Sequence, residues 1–379
     1  MKILGLILEI NPFHNGHQFF IEEAIKTVKP DVTIAITSTS FTMRGDISLL
    51  TKFDKTKLLL NNNVDLVVEL PIAKTLNSAD YFAYHSIEIL SKLGITDLAF
   101  GIEDGRIDYL NQILKIINTN EFQEALTNNI SKTISYKNAF SRTFSKVSNN
   151  IELTEYLNKP NFTLALQYLL AIQKLNLNIN IHPINRTDNF YNDSSVLFKS
   201  AFNIRSMLEN NLDISSYIPY DSNIIKTINK DLLYKLIKYK FLVDQNINQN
   251  HLITEGIDNY IINNFTGNNI DECLNNLANK RYSKSRIKRI MISSLLDIPS
   301  SYNQFEEYYR ILGFNNTGRT YLNTLPKNLK NVLKTTLKNE TSKTGLIELQ
   351  ATKLYSLLIN EDINLQELQI PIKKENKND

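Results

Sequence analysis

The alternation of short apolar runs with helical stretches in the N-terminal part of the chain constrains the fold more than any other feature. The apolar runs have the length of strands and lie at residues 2–8, 31–37, 64–70 and 96–102. Between them are stretches of helical character, at about 17–28, 53–62 and 78–93. Strands and helices that alternate at this spacing are typical of a parallel sheet with crossover helices. Because such sheets bind ligands beyond the carboxyl ends of their strands, we expect the functional residues to follow the strands.

The remainder of the chain is predicted to be richer in helix. Residues 106–150 show few strand signals and are interpreted as a helical insertion. The alternation then resumes with a helix, a strand and a second helix, at about 161–174, at about 179–184 and from about Ser200. Helical periodicity dominates after about Ser216, for example at 232–243, 286–296 and 346–358. The sequence therefore predicts an α/β domain over residues 1–215, followed by a mostly α-helical domain over residues 216–379.

Composition excludes several classes of protein. The 379 residues are 42% hydrophobic and 21% charged, close to globular averages, which excludes an intrinsically disordered chain. The net charge is only +3, so any contact with nucleic acid must depend on a local basic patch. A single cysteine, Cys273, excludes an intramolecular disulfide and a cysteine-rich metal site. No run approaches the roughly 18–20 apolar residues of a membrane span, and we expect a cytoplasmic protein with no membrane partner.

The motif with the clearest chemistry is His14-Asn15-Gly16-His17, which follows the first predicted strand and opens the first predicted helix. A helix N-terminus offers unpaired N–H groups and partial positive charge to phosphate, and Gly16 lets a nucleotide lie against the backbone. Two imidazoles three residues apart can donate hydrogen bonds and stabilise charge that develops between the α- and β-phosphates. An isolated H-x-x-H is more often a structural histidine or a metal pair, but the strand–helix position favours a phosphate site.

The motif resembles the HxGH signature of the HIGH-type nucleotidyltransferases, which join ATP to an acid or a phosphate with loss of pyrophosphate. The longer string GLILEINPFHNGH is similar to one family among them, the bacterial tRNA(Met) cytidine acetate ligases. Further similar strings follow in order along nearly the whole chain: FTMRGD at 41–46, VDLVVELP at 64–71, AFG at 99–101, SAFNIR at 200–205 and KRYSKSRIKRIMISSLL at 280–296.

The resemblance implies a Rossmann-like catalytic domain and an ATP-dependent ligase. Members of this family activate acetate as acetyl-adenylate. We expect Mg²⁺ to accompany ATP. They then pass the acetyl group to N4 of the wobble cytidine of elongator tRNA(Met), giving N4-acetylcytidine, AMP and pyrophosphate. The chain departs from the usual family strings at Ile10, within 38–48, at Phe162, at Ala165 and in SAFNIR. Because these positions lie near the presumed ligand loops, the identity of the acid stays open.

The resemblance also implies which residues form the nucleotide site, with His14 and His17 as the catalytic pair. Arg186 would pair with phosphate, and Arg205, at a second helix start, would hold the leaving pyrophosphate. The implied nucleotide-binding residues are Ile7, Leu8, Glu9, Ile10, Asn11, Pro12, Phe13, His14, Asn15, Gly16, His17, Gln18, Phe19, Phe20, Gly101, Asn161, Arg186 and Arg205.

A basic segment within the helical half is the candidate tRNA-binding surface. Its cations are Lys280, Arg281, Lys284, Arg286, Lys288 and Arg289, with no acid among them. On a helix that begins near Ser283, the arginines and the apolar residues Ile287, Ile290 and Met291 divide into a basic face and a buried face. A charge run is often no more than a solvated face, but the segment also matches the family pattern.

Two other functions are compatible with parts of the sequence. A nucleotidyltransferase acting on a small phosphorylated metabolite would explain HNGH, but it would not explain the long helical half or the basic helix. A degenerate family member that only binds RNA is suggested by the departures from the family strings. The intact HNGH motif argues against it.

Overall fold

One mixed sheet of eight strands organises the chain. In the computed structural model the described residues are 1–103, 106–130, 134–186, 198–247 and 249–375, without the side chain of Arg186. The strands are β1 (Ile3–Leu8), β2 (Val32–Thr37), β3 (Leu66–Glu69), β4 (Asp97–Glu103), β5 (Asn180–Arg186), β6 (Tyr309–Asn315), β7 (Leu333–Lys334) and β8 (Ile372–Lys374). Each of the four apolar runs of the N-terminal part forms a strand, as predicted.

The strand order creates a crevice at the carboxyl edge of the sheet. The order is β5-β4-β1-β2-β3-β6-β7, and β8 pairs with β6. The five strands from β5 to β3 are parallel, whereas β6 runs antiparallel to β3. From β1 the chain proceeds outward through β2 and β3, then returns to place β4 on the other side of β1. Ligands bind at such a switch point, here between β1 and β4.

Helices cover both faces of the sheet and make up most of the described chain outside it. They are α1 (Asn15–Val28), α2 (Lys52–Asn61), α3 (Ile72–Thr75), α4 (Ala79–Lys92), α5 (Ile107–Ile117), α6 (Asn120–Asn129), α7 (Tyr136–Ser148), α8 (Ile151–Asn158), α9 (Pro160–Lys174), α10 (Ala201–Glu209), α11 (Lys230–Tyr239), α12 (Ile257–Asn263), α13 (Ile270–Leu277), α14 (Lys284–Leu295), α15 (Asn316–Thr324), α16 (Lys327–Val332) and α17 (Lys343–Ile359). The segment 106–150, interpreted as a helical insertion, contains α5, α6 and α7.

Alternating side chains of the strands supply two cores. Leu4 and Leu6 of β1 pack with α1 and α2 on one face, while Ile34 and Ile36 of β2 pack with α4 and α9 on the other. Successive residues of a strand point to opposite faces, so a strand covered by helices on both sides must be apolar throughout. This is why the strands appear in the sequence as continuous apolar runs.

The C-terminal half does not consist of helices alone, because it returns to the sheet. Strand β6 pairs with β3, and β8 pairs with β6, so residues beyond 300 complete an edge that β3 would otherwise expose. Tyr309 and Ile311 point into the core beneath α4, and Leu312 points into the core beneath α2. The sequence analysis missed β6, whose apolar run YRILGFN lies among helical segments. Among the described residues, no helix combines the length and apolarity needed to cross a membrane.

Candidate active site

The turn between β1 and α1 places both histidines of HNGH at a helix N-terminus. His14 is the N-cap of α1, and its Nδ1 accepts a hydrogen bond from Gly16 N–H at 3.0 Å. His17 Nδ1 accepts from His14 N–H at 3.2 Å, which completes a reciprocal capping box. The two ring centroids are 3.9 Å apart. Since each Nδ1 is an acceptor, this hydrogen-bond network assigns the proton of each neutral imidazole to Nε2, which makes each Nε2–H a donor.

Asn11 ties this turn to two other segments of the chain. Its side-chain amide donates to Ile47 O at 3.1 Å and accepts from Leu49 N–H at 2.8 Å, which holds the loop that follows β2. Its backbone carbonyl accepts from Arg205 Nη1 at 2.7 Å. The structure therefore brings Arg205, in the second turn of α10, to the predicted site.

A second helix N-terminus meets the end of β4 beside the switch point. The Glu103 carboxylate accepts hydrogen bonds from Asn161 N–H at 3.0 Å, from Asn161 Nδ2 at 2.8 Å and from Phe162 N–H at 2.8 Å. A carboxylate at this position satisfies N–H groups that the first turn of α9 leaves unpaired. Asn161 and Gly101, which lies two residues before Glu103, are thus both at the carboxyl edge of β4.

The other predicted site residues differ in how they can reach a ligand. Leu8, Ile10 and Phe13 point into the core, so their contribution to a site is limited to backbone atoms. Arg186 ends β5 with its backbone opposite Glu103, and its side chain lies outside the described residues. Gln18 hydrogen-bonds to Glu22 of its own helix.

Glu9, which is partly exposed, and Lys55, which is buried, add two ionisable groups to this edge of the sheet. The Glu9 carboxylate accepts a hydrogen bond from Met43 N–H. Desolvation raises the pKa of Glu9, an effect that this hydrogen bond and the charges of Arg44 and Lys55 oppose. Lys55 donates to Ser38 O at 2.9 Å and to Thr39 O at 2.7 Å, and burial lowers its pKa to about 7.

The basic helix α14 is packed against the loop that contains MRGD. Lys288 Nζ lies 2.6 Å from Asp46 Oδ1, and Arg289 Nη1 donates to Met43 O at 3.4 Å. At Gly45, where φ is +78°, an added Cβ would lie 2.7 Å from Arg289 N, so the close approach requires glycine. Burial lowers the pKa of Arg289 to about 10. Lys288 and Arg289 therefore connect the helix to the candidate site.

The remaining cations of the segment do not contact the MRGD loop; they either pair with other residues or are exposed. Arg281 pairs with Glu255 at 2.6 Å, and Arg286 Nη2 donates to Thr254 Oγ1 at 3.0 Å. Lys280 and Lys284 are exposed. The apolar residues Ile287, Ile290 and Met291 are buried, as the sequence predicts.

Sequence analysis missed three charged residues at this edge: Lys55, Asp46 and Glu103. Lys55 lies inside the predicted helix at 53–62 with no local sign of its partners, and Asp46 appears in a loop where its partner in α14 could not be foreseen. The sequence did indicate Glu103 as a candidate, since it directly follows the apolar run at 96–102, where functional residues are expected. Among the described residues, no group of three or more His, Cys, Asp or Glu side chains is arranged to hold a metal ion.

Fold and site together define a nucleotidyltransferase of the HIGH class: a capped HNGH turn at the switch point of a parallel sheet. A family model described as HIGH Nucleotidyl Transferase matches residues 1–369. Individual proteins of similar sequence indicate a narrower family within this class. The chain is 32% identical to the tRNA(Met) cytidine acetate ligase of Thermosipho africanus, over 90% of this chain and 89% of that protein. It is also 32% identical to the ligase of the same name from Clostridium novyi, over 96% and 97% of the two chains.

A solved structure agrees with these relatives. The crystal structure of Thermotoga maritima TmcAL bound to α-thio ATP superposes with a TM-score of 0.85 at 26% identity, covering 99% of this chain and 100% of that chain. The apo form superposes with a TM-score of 0.86. The chain belongs to the tRNA(Met) cytidine acetate ligase family, whose members are ATP-using ligases.

Proposed function

We propose that this protein activates acetate with ATP and transfers the acetyl group to N4 of the wobble cytidine of elongator tRNA(Met). The observation that carries the proposal is the pair of capping histidines at the switch point. Their Nδ1 atoms are used as acceptors, which orients two Nε2–H donors at a helix N-terminus suited to phosphate. Membership of the ligase family supports acetate as the acid and a cytidine of tRNA(Met) as the acceptor.

In the first step acetate attacks the α-phosphate of ATP and pyrophosphate leaves. His14, His17 and the N-terminus of α1 stabilise the negative charge that develops on the phosphates. Arg205, fixed beside the turn by the Asn11 carbonyl, is placed to hold the leaving pyrophosphate. The predicted nucleotide contacts of Gly101, Asn161 and Arg186 are part of this proposal.

In the second step the cytidine amine attacks the acyl carbon of acetyl-adenylate and AMP leaves. Mg²⁺ would accompany the triphosphate in this proposal and would neutralise part of its negative charge. We place this reaction in the cytoplasm, where tRNA is available.

The formation of acetyl-adenylate can be tested without RNA. We expect the purified protein to catalyse exchange of labelled pyrophosphate into ATP in the presence of acetate, because adenylation is reversible. A panel of other small carboxylates identifies the preferred acid. Exchange with none of them, with or without tRNA, would overturn the ligase function and favour a protein that only binds RNA.

We further propose that tRNA binds along the segment 280–289, through the cations that face away from the MRGD loop. The variant carrying Lys280→Ala and Lys284→Ala should bind tRNA more weakly, because it removes two exposed cations without breaking the contacts of Lys288 or Arg289. Each phosphate contact releases counterions, so the slope of log affinity against log salt should flatten by about 1.5 units. Filter binding or fluorescence anisotropy over a range of salt measures both quantities.

Lys26→Ala with Lys92→Ala is the matched control for this variant. These lysines, with 77% and 56% of their side chains exposed, lie in the last turns of α1 and α4, at the opposite edge of the sheet. The control removes the same number of positive charges as the Lys280/Lys284 variant. Because it removes them at the opposite edge of the sheet, it should leave the salt slope unchanged. Equal losses in both variants would place the tRNA surface elsewhere.

A further inference from the structure

The proposed reaction requires a proton acceptor in its second step only. Acetate enters the first step as an anion, so its attack on the α-phosphate releases no proton. The N4 amine of cytidine, in contrast, must lose a proton as it becomes an amide nitrogen. A positioned base contributes typically 10²–10⁴-fold to such a step.

The two histidines are unsuited to this role. His14 Nδ1 and His17 Nδ1 each accept a backbone N–H, and Nε2 of each neutral ring therefore already carries the proton. Either ring could take up another proton only by breaking the cap of α1. Their geometry is that of donors.

Among the described residues, two other carboxylates beside the switch point between β1 and β4 are committed to other contacts. Glu103 accepts three N–H groups at the start of α9. Asp46 is paired with Lys288 at 2.6 Å and lies 4.0 Å from Arg205. The Glu9 carboxylate accepts the Met43 N–H through Oε1 and retains a second oxygen.

Glu9 also lies beside the proposed nucleotide site. It directly follows β1 at the switch point and lies five residues before His14. Ile7 packs on the sheet face covered by α4 and α9, and Glu9, two residues further, is directed to that same face. Its side chain keeps partial exposure, so a substrate can approach it.

The surroundings of Glu9 are dominated by cations that phosphates can neutralise. The charged and titratable groups that act on it are Arg44 and Asp46 of the loop after β2, Lys55 of α2, Tyr168 of α9, Arg205 of α10 and Arg289 of α14. Burial already raises the pKa of Glu9 above its usual value. Bound nucleotide phosphate would shield the cations and make the carboxylate more basic, which suits a base that acts after adenylation.

We propose that the Glu9 carboxylate is the general base of the acyl-transfer step. As the N4 nitrogen forms its bond to the acetyl carbon, Glu9 takes the N4 proton. The bond from the acetyl carbon to the AMP oxygen breaks, and AMP leaves with that electron pair. The resulting carboxylic acid then releases its proton to solvent. This inference rests on the proposed ligase function.

Glu9→Gln tests it, because the amide oxygen can still accept the Met43 N–H while the base is lost. Single-turnover transfer of labelled acetyl from enzyme-bound acetyl-adenylate to tRNA should slow by about 10²-fold or more. Pyrophosphate exchange with acetate reports any effect of the substitution on nucleotide binding and adenylation, and transfer should fall by a larger factor than exchange. Hydroxylamine, a stronger nucleophile, should capture the acetyl group from both proteins at similar rates, which shows that the adenylate is formed and intact.

The pH dependence and a second variant separate a base from a structural role. Wild-type transfer should rise with pH to a plateau as Glu9 ionises, and Glu9→Gln should lose that rise. Glu9→Asp keeps a carboxylate, so it should be slower than wild type and retain the profile. Unchanged transfer in Glu9→Gln, or exchange slowed as much as transfer, would overturn the assignment. A wild-type protein without exchange would instead overturn the proposed function together with the role of Glu9.

Discussion

His14→Asn and His17→Gln are each expected to slow acetyl-adenylate formation by about 10²–10³-fold, or roughly 3–4 kcal/mol of activation free energy. Each variant removes one imidazole donor to the developing phosphate charge. The effect should fall on kcat of pyrophosphate exchange more than on ATP affinity, because the donors act mainly in the transition state. Exchange kinetics and calorimetric ATP binding measure the two quantities.

These substitutions are chosen because the histidines also cap α1. Asparagine is among the best N-cap residues, and glutamine at the third helical position completes a capping box, so both variants can keep the helix start. Alanine would remove the helix cap as well as the imidazole donor, at a cost of about 1 kcal/mol of stability. A slower exchange rate could then not be assigned to the donor alone. If the variants melt like wild type and exchange at near-normal rates, the imidazoles serve only the fold.

Arg310→Met is expected to lower the free energy of unfolding by about 3–5 kcal/mol. Arg310 is 1% exposed and donates to the Glu367 carboxylate, with Glu69 at 3.8 Å. Lys52 lies 2.6 Å from Glu69 and 2.7 Å from Glu367. Removing Arg310 leaves Glu69 and Glu367 with Lys52 as their cation, beside Glu348, whose pKa burial raises well above its usual value. Urea denaturation measures the loss.

Two further variants test whether uncompensated charge is the cause. Adding Glu367→Gln to Arg310→Met restores the balance of charge and should recover part of the lost stability, since a neutral amide is cheaper to bury than an unpaired carboxylate. Lys26→Ala breaks an exposed pair with Glu23 and should leave the midpoint nearly unchanged. A double variant less stable than Arg310→Met would contradict this explanation.

The local pattern of the sequence was sufficient for the strands of the N-terminal part and for the HNGH turn between β1 and α1. Helices cover each of these strands on both faces, so each strand consists of consecutive apolar residues. The HNGH turn is equally local, because His14 and His17 bond to backbone groups within three residues. The family strings added the ligase class, which the comparisons confirm.

Only the tertiary structure decided what joins distant parts of the chain. Strand β6 pairs with β3, Lys288 pairs with Asp46, and Glu348 accepts the N–H of Ile72, although more than two hundred residues separate each pair. Periodicity reports the environment of a side chain along its own element, but it does not specify the partner on another element. The role of Glu9 depends on such partners: the loop of Met43 and the cations that four different segments bring to it. The sequence therefore determined the HNGH turn at the end of the first strand, and the fold decided which charged groups surround Glu9.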